Sequence, residues 1–187
     1  MGLKLVLVAG MPGAGKSIVS KAARDLGIPV YNMGDIIRED TLKFYKEITP
    51  ETMRETSQKV RKLYGEDYVA RRTLEKIKEK EGVVLIDGVR SLIEVEVFKG
   101  RGPTCIIAVH ASPRTRFERI KKRGRPGDPN DWEEFVKRDY VELSFGVGNV
   151  IALADFMIVN ECSIDEAYRG AKGILERLMR DENRGLR

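Results

Sequence analysis

One short segment, residues 10–17, restricts the possible folds of this chain more than any other part of its sequence. It reads Gly-Met-Pro-Gly-Ala-Gly-Lys-Ser and meets in full the pattern GxxxxGK followed by Ser or Thr. An apolar run at residues 3–9 precedes it and an amphipathic stretch at residues 16–26 follows it, so it lies between a predicted strand and a predicted helix. Glycines in this context let backbone N–H groups converge on phosphate oxygens at the positive end of a helix. The sequence therefore predicts a phosphate-binding loop (P-loop) for a nucleoside triphosphate, formed by Gly10, Met11, Pro12, Gly13, Ala14, Gly15, Lys16 and Ser17.

Two residues of this loop and one carboxylate later in the chain have predicted roles in phosphate chemistry. We expect Lys16 to reach the β- and γ-phosphates and Ser17 to hold Mg²⁺. Asp87 ends the apolar run at residues 83–86, where a carboxylate can assist the metal through its water shell; alternatively, it caps the turn before Gly88. The Asn-Lys-x-Asp element that usually recognises guanine is absent, which favours ATP over GTP. ATPases, GTPases and kinases share the loop, so the loop alone does not identify the reaction.

Short apolar runs alternate with longer amphipathic stretches along the chain, which is typical of βαβ units. After the run at residues 3–9, we predict strands at residues 28–31, 83–86, 105–109 and 156–159. The pattern indicates an α/β fold of the P-loop NTPase type, in which helices cover both faces of a five-stranded parallel sheet. The length of 187 residues suits one domain, residues 1–187.

Composition narrows the class of protein and of partner. Charged residues make up 34% of the chain, and no apolar run approaches the length of a membrane helix, so we expect no membrane association. The two cysteines form neither a metal-binding spacing nor a disulfide framework, which favours the cytoplasm. The net charge of +5 is compatible with nucleic acid, but the arginine-rich segments coincide with predicted phosphate sites and lack interleaved aromatic residues. A nucleic-acid partner is therefore disfavoured.

Residues 35–80 are longer than the single helix that a simple alternation of strands and helices would place between two strands. They predict helices with breaks at Thr49-Pro50 and at Gly65. An insertion of this kind, between the second and third strands, is where a second substrate is expected to bind.

Residues 114–144 form a second extra segment, two predicted helices around the Gly- and Pro-rich turn at residues 124–129. Arg116, Arg119 and Arg123 follow at spacings of three and four residues, so they share one side of a helix. This is the arrangement of a lid that closes over a transferring phosphoryl group and neutralises its charge, and Arg125 and Arg138 would join it. The alternative is a solvated basic face.

With these residues in view, the sequence resembles nucleoside-monophosphate-kinase-like P-loop kinases, in particular adenylate kinases and dephospho-CoA kinases, and most closely an archaeal family of such kinase-like proteins. The resemblance covers nearly the whole chain. Its most specific parts are the P-loop, the turn at residues 87–90, the basic lid and the segment Ala-Asp-Phe-Met-Ile-Val-Asn at residues 154–160. It implies a nucleoside-monophosphate-kinase-like fold with a helical acceptor-binding insertion and a lid.

The resemblance also implies roles for single residues. Asp35 corresponds to an acid that orients or deprotonates the acceptor hydroxyl, although Asp is also a preferred helix N-cap. Arg38 and Arg90 resemble arginines that hold the acceptor phosphate, for which planar guanidinium groups are suited; for each, a surface salt bridge is the alternative. The turn carrying Arg90 is one residue shorter than the family pattern. Asn160 resembles the asparagine turn beside the adenine.

His110 and Trp132 are not assigned to the site. His110 has no acid or cysteine at ligand spacing, and Trp132 begins a helix, so we expect structural roles for both.

These observations together predict an ATP- and Mg²⁺-dependent kinase whose acceptor is a nucleotide-like small molecule, either dephospho-CoA or a nucleoside monophosphate. Lys16, Asp35, Arg119 and Arg123 are its candidate catalytic residues. A regulatory ATPase that signals to a protein or nucleic acid, and a nucleic-acid-binding module, are the alternatives.

Overall fold

A computed structural model describes residues 2–180 of the chain. Its five strands are β1 (Leu3–Ala9), β2 (Val30–Asn32), β3 (Gly82–Asp87), β4 (Thr104–His110) and β5 (Phe156–Val159). The helices within the described residues are α1 (Ser17–Asp25), α2 (Met33–Tyr45), α3 (Pro50–Tyr64), α4 (Tyr68–Lys76), α5 (Leu92–Lys99), α6 (Pro113–Arg123), α7 (Trp132–Ser144), α8 (Val147–Ala152) and α9 (Ile164–Arg180).

The strands form one sheet in the order β2-β3-β1-β4-β5, and every neighbouring pair is parallel. This confirms the predicted five-stranded parallel sheet. In its register Asp87 of β3 lies opposite Val8 of β1 on one side and Asn32 of β2 on the other. Because the strands are parallel, the P-loop after β1, Asp87 at the end of β3 and the start of α2 all meet at the carboxyl edge of the sheet.

Strand β1 shows how the sheet separates two hydrophobic cores. Leu3, Leu5 and Leu7 point to one face and Val6 and Val8 to the other, as the period of two requires. The first core also contains side chains from α2, α3, α4, α5 and α8, and the second contains side chains from α1 and α9. Burial on both faces explains why the strands read as continuous apolar runs.

The strands at residues 3–9 and 156–159 have the predicted bounds, whereas β2 begins two residues later than expected. Ile28 lies instead in the turn that closes the carboxyl end of α1, because its N–H donates to the carbonyl oxygen of Ala23. Gly27, between the helix and this residue, has a φ of +74°. The apolar side chain of Ile28 is buried in the core, which is why the sequence alone placed it in the strand.

The predicted helical insertion is present as α2, α3 and α4, and both predicted breaks are confirmed. Thr49 caps α3 by accepting from the N–H of Thr52, and Pro50 takes the first helical position. Gly65 ends that helix. The alternative that Asp35 is a helix cap is wrong, because α2 begins earlier and its cap is Asn32, whose side chain accepts from the N–H of Gly34.

The predicted lid consists of α6 and α7 on either side of a turn, in which Gly124 ends α6 in a left-handed conformation. The turn lies against the insertion. A Cβ atom added to Gly127 would come within 2.1 Å of the Cβ of Pro50 at the start of α3, so only glycine fits this contact. Among residues 2–180, no helix combines the length and the hydropathy that crossing a membrane requires.

Candidate active site

The P-loop packs against three other segments of the chain through its glycines. A Cβ atom on Gly10 would lie 2.5 Å from the carbonyl oxygen of Val109, and one on Gly13 would lie 2.8 Å from that of Arg116. At Gly15, where φ is +98°, the Cβ would lie 2.2 Å from the Nδ2 atom of Asn160. These contacts hold the loop in its curved path between β1 and α1.

Lys16 lies folded onto the loop. Its Nζ donates to the carbonyl oxygens of Gly10, at 2.7 Å, and Met11, at 3.4 Å. Burial lowers the pKa of Lys16 from its usual value; the charges of Asp87 and Glu142 oppose that lowering, and those of Arg90 and Arg123 add to it. These four side chains therefore lie within electrostatic range of the lysine.

Asp87 is buried at the end of β3, and only one of its carboxylate oxygens is engaged. Its Oδ2 accepts from the hydroxyl of Ser20 at 2.9 Å, while Oδ1 has no hydrogen-bond partner among the described residues. The alternative that Asp87 caps the following turn is wrong, because the N–H groups of Gly88 and Val89 donate to the carbonyl oxygen of Val8. Ser20 lies three residues after the exposed Ser17, on the same side of α1, so Asp87 is tied to the helix turn that begins at the predicted metal ligand.

Asn160, directly after β5, is a buried support of the loop. Its Nδ2 donates to the carbonyl oxygen of Ala14 at 2.8 Å, and its backbone N–H donates to that of His110. Arg119 reaches the same place from the lid, donating from Nη2 to the carbonyl oxygen of Asn160 at 2.9 Å. The Oδ1 of Asn160 and the Nη1 of Arg119 are both buried without a hydrogen-bond partner within residues 2–180. With Oδ1 of Asp87, three such atoms lie on residues that surround the P-loop.

The lid arginines divide into two kinds. Arg116 is 4% exposed in its side chain and makes a bidentate pair with Asp139, at 2.8 and 2.5 Å, while it also donates to the carbonyl oxygens of Ala111 and Pro12. The prediction that Arg116 faces phosphate from the lid is wrong, because its N–H groups hold α6, α7 and the P-loop together.

Arg123 and Arg138, by contrast, bind a carboxylate of the lid turn. Arg123 donates to both oxygens of Asp128, at 2.7 and 2.6 Å, and Arg138 donates to one of them at 3.1 Å. The Arg123 guanidinium is the main reason why the pKa of Asp128 falls to about 2. Arg125 contributes its backbone N–H to the same carboxylate.

The predicted acceptor residues lie in two places. Asp35 and Arg38 pair with each other at 2.5 Å on the first turns of α2, with Asp35 58% exposed. Arg90 instead faces α7, where its Nε lies 3.3 Å from Glu142 and its guanidinium 5.7 Å from the ring centre of Phe145.

Sequence reasoning missed the group around Arg90. Glu94, fully buried, accepts from the backbone N–H of Arg90 at 2.8 Å and from the guanidinium of Arg61 at 3.0 Å. The guanidinium of Arg61 lies 5.2 Å from the ring centre of Phe145. No spacing rule links these residues, because Arg61 and Glu94 are 33 positions apart.

Trp132 has the predicted packing role, whereas the structural role expected of His110 stays a prediction. The His110 side chain is exposed at the end of β4. Trp132 packs against Phe117 and Phe135, with ring centres 5.5 and 5.2 Å away. The described part of the chain contains no cluster of three or more His, Cys, Asp or Glu side chains able to hold a metal ion.

Two known proteins of one family match this chain along nearly its whole length. A family model described as an AAA domain matches residues 9–136. A UPF0200 protein of Staphylothermus marinus is 74% identical over 179 residues, which span 96% of this chain and 95% of that protein. A UPF0200 protein of Methanocaldococcus jannaschii is 44% identical over 179 residues, covering 94% of this chain and 90% of its own length.

Two solved structures share the architecture. Shikimate kinase from Acinetobacter baumannii, in complex with shikimate, superposes with a TM-score of 0.63 and 20% identity over 96% of this chain and 94% of that chain. Shikimate kinase from Aquifex aeolicus gives a TM-score of 0.54 and 22% identity over 92% and 96%. At these identities the likeness shows the fold alone, a kinase-like P-loop fold.

Proposed function

Because the chain belongs to the archaeal UPF0200 family and has its P-loop kinase-like domain, we propose that it is an ATP- and Mg²⁺-dependent kinase for a small, nucleotide-like acceptor. The observation that supports this most is the convergence of the P-loop, Lys16, Asp87 and Arg119 at one edge of the sheet. A triphosphate placed there would meet backbone N–H groups, an ammonium group and a guanidinium group, all of which stabilise phosphate charge.

Two polar groups of the site fit a hydrated Mg²⁺. Ser17 is an exposed residue at the first position of α1, and Oδ1 of Asp87 is buried with no hydrogen-bond partner in residues 2–180. Oxygen ligands and retained water are what Mg²⁺ prefers. Held by Ser17 and, through water, by Asp87, the ion would neutralise charge on the phosphate oxygens.

The proposed reaction is an in-line transfer of the γ-phosphoryl group. The acceptor hydroxyl oxygen bonds to the γ-phosphorus, the bond from that phosphorus to the oxygen of ADP breaks, and the hydroxyl proton passes to a base. Asp35 suits the base, because its exposed carboxylate lies just after β2 and Arg38 orients it. Lys16 would stabilise the charge on the transferring group, and Arg119 and Arg123 would approach it from the lid.

Dephospho-CoA and a nucleoside monophosphate are the proposed acceptors, and the insertion α2–α4 is the proposed place for either. Shikimate is the third acceptor to test, because the two shikimate kinases share the fold and the structure from Acinetobacter baumannii is a complex with shikimate.

The direct test is ADP formation by the purified protein with MgATP and each of the three candidate acceptors, with products identified by mass spectrometry. We expect ADP to form in the presence of one of these acceptors, which becomes phosphorylated. This activity should be lost in Lys16→Ala. Lys21→Ala is the matched control, because Lys21 lies on α1 but pairs at the surface with Asp25. Unchanged turnover in Lys16→Ala would refute the proposal, and hydrolysis without any acceptor, stimulated by a macromolecule, would support the regulatory ATPase instead.

A further inference from the structure

A buried hydroxyl, that of Ser20, contacts the carboxylate of Asp87. Ser20 is 3% exposed and Asp87 is 8% exposed, and the hydroxyl donates to Oδ2 of the carboxylate at 2.9 Å. The bond joins α1 to the end of β3, across 67 positions of the chain. The other oxygen, Oδ1, is a buried acceptor without a hydrogen-bond partner among residues 2–180. One oxygen of Asp87 is therefore fixed by the protein, and the other is open to a ligand.

The open oxygen needs a partner that the described part of the chain does not supply. A buried acceptor left unpaired destabilises a fold, so proteins satisfy nearly all such atoms with protein groups, water or a ligand. Lys16, whose charge interacts with that of Asp87, donates from Nζ to the carbonyl oxygens of Gly10 and Met11 instead. Oδ1 of Asp87 is thus available to accept from water held by a metal ion.

The position of Ser20 on α1 sets how the carboxylate can reach such an ion. Ser20 follows Ser17 by three residues, and side chains at this spacing share one side of a helix, with Cβ atoms about 5–6 Å apart. Mg²⁺ binds oxygen at about 2.0–2.1 Å and keeps several of its waters. For an ion on Ser17, a carboxylate held by Ser20 is therefore better placed to accept from one of these waters than to touch the ion.

We propose that Ser20 is a positioning residue for Mg²⁺, because its hydroxyl fixes Oδ2 of Asp87 and so keeps Oδ1 directed at the water shell of the ion. The inference rests on the proposed ATP- and Mg²⁺-dependent function, and it adds a residue that the P-loop pattern does not contain. The rival role for this bond is the attachment of α1 to β3. Only the positioning role predicts weaker binding of MgATP together with unchanged binding of metal-free ATP.

The test is calorimetric titration of the full chain with ATP, once at saturating Mg²⁺ and once in EDTA. The dissociation constant in EDTA divided by that in Mg²⁺ defines the magnesium ratio, which measures how strongly the protein favours the metal complex. In Ser20→Ala this ratio should fall by about tenfold, since loss of a hydrogen-bond partner of a metal-binding group costs about 10- to 100-fold in metal affinity. The affinity for ATP in EDTA should stay that of the wild type.

A double variant tests whether Ser20 acts through Asp87. The magnesium ratio of Ser20→Ala/Asp87→Asn should fall no further than that of Asp87→Asn alone, because residues that act as one unit have non-additive effects. Additive losses would contradict the proposal. Should the alanine variant fail to fold, Ser20→Cys, which retains a weak S–H donor, serves for the same test with a smaller expected fall.

Thr104→Val is the matched control. The Thr104 residue is also 3% exposed, and its hydroxyl donates to the carbonyl oxygen of Gly102 at 2.9 Å, at the opposite edge of the sheet from the P-loop. This variant should keep the wild-type magnesium ratio, and thermal unfolding checks that each variant is folded.

Two results for Ser20→Ala would overturn the inference: a magnesium ratio equal to that of the wild type, or equal losses of affinity with and without Mg²⁺. In both cases MgATP binding by the wild type leaves the proposed function standing. A wild type that binds ATP equally well with and without Mg²⁺ would instead refute the proposed Mg²⁺ dependence, and this inference with it.

Discussion

Replacing Arg116 by methionine should destabilise the fold strongly, although the residue lies in the segment expected to move as a lid. The side chains of Arg116 and Asp139 are 4% and 14% exposed, and two hydrogen bonds join them. Removing one partner of such a buried pair costs about 3–5 kcal/mol, because the other charge is left without compensation. The carbonyl oxygens of Ala111 and Pro12 lose a donor as well.

For a protein of this size each kcal/mol corresponds to about 2–4 °C, so the melting temperature should fall by about 6–20 °C. Urea unfolding of wild type and variant, followed by circular dichroism, measures the change in the free energy of unfolding. Arg114→Met is the matched control: that side chain is 89% exposed on the same helix, and its loss should change stability by no more than about 0.5 kcal/mol.

The double variant Arg116→Met/Asp139→Leu separates the cost of an unpaired charge from the loss of packing. Removing both charges should recover part of the stability lost in Arg116→Met. If Arg116→Met is as stable as Arg114→Met and loses only phosphoryl transfer, the residue faces phosphate and the structural role assigned to it is refuted.

Three further predictions concern the loop, the lid turn and the thiols. Gly15→Ala should destabilise the protein by about 1–3 kcal/mol in urea unfolding, because the new Cβ meets Asn160 at 2.2 Å and φ is +98°; an unchanged midpoint would contradict the packing described. Because the pKa of Asp128 is lowered to about 2, its ionised carboxylate stabilises the fold above about pH 4, and this stabilisation is lost as the pH falls towards 2. The free energy of unfolding of wild type should therefore exceed that of Asp128→Asn by about 1–2 kcal/mol at pH 5 and by much less at pH 2. An equal difference at both pH values would count against this role of Asp128. Burial raises the pKa of the Cys105 thiol to about 12, so a thiol reagent at pH 8 should modify exposed Cys162 rapidly and Cys105 only after unfolding; two equally fast thiols would show that Cys105 is accessible.

The sheet and the P-loop could be predicted because their signals are local. The P-loop pattern occupies consecutive positions, and strands buried on both faces leave uninterrupted apolar runs such as residues 3–9. The breaks at Thr49 and Gly65 were likewise readable from cap and glycine chemistry.

The direction in which a side chain points could not be predicted in the same way. Helical spacing correctly puts Arg116, Arg119 and Arg123 along one helix, but it does not say which of them meets a buried carboxylate. Arg116 meets Asp139, 23 positions later, and this pairing exists only in the folded chain. The group around Arg90 depends on a contact over a longer separation still, that of Arg61 with Glu94, 33 positions later, so no sequence window contains it.

Everything proposed for this chain depends on the P-loop binding a triphosphate, and calorimetric titration with MgATP measures that directly. We expect heat that fits one site, thermal protection of the wild type, and an affinity lowered by about 10- to 100-fold in Lys16→Ala, as the loss of one charged phosphate contact implies. Lys21→Ala should bind as the wild type does. No heat and no thermal protection at saturating MgATP, or equal affinity in Lys16→Ala, would contradict the account.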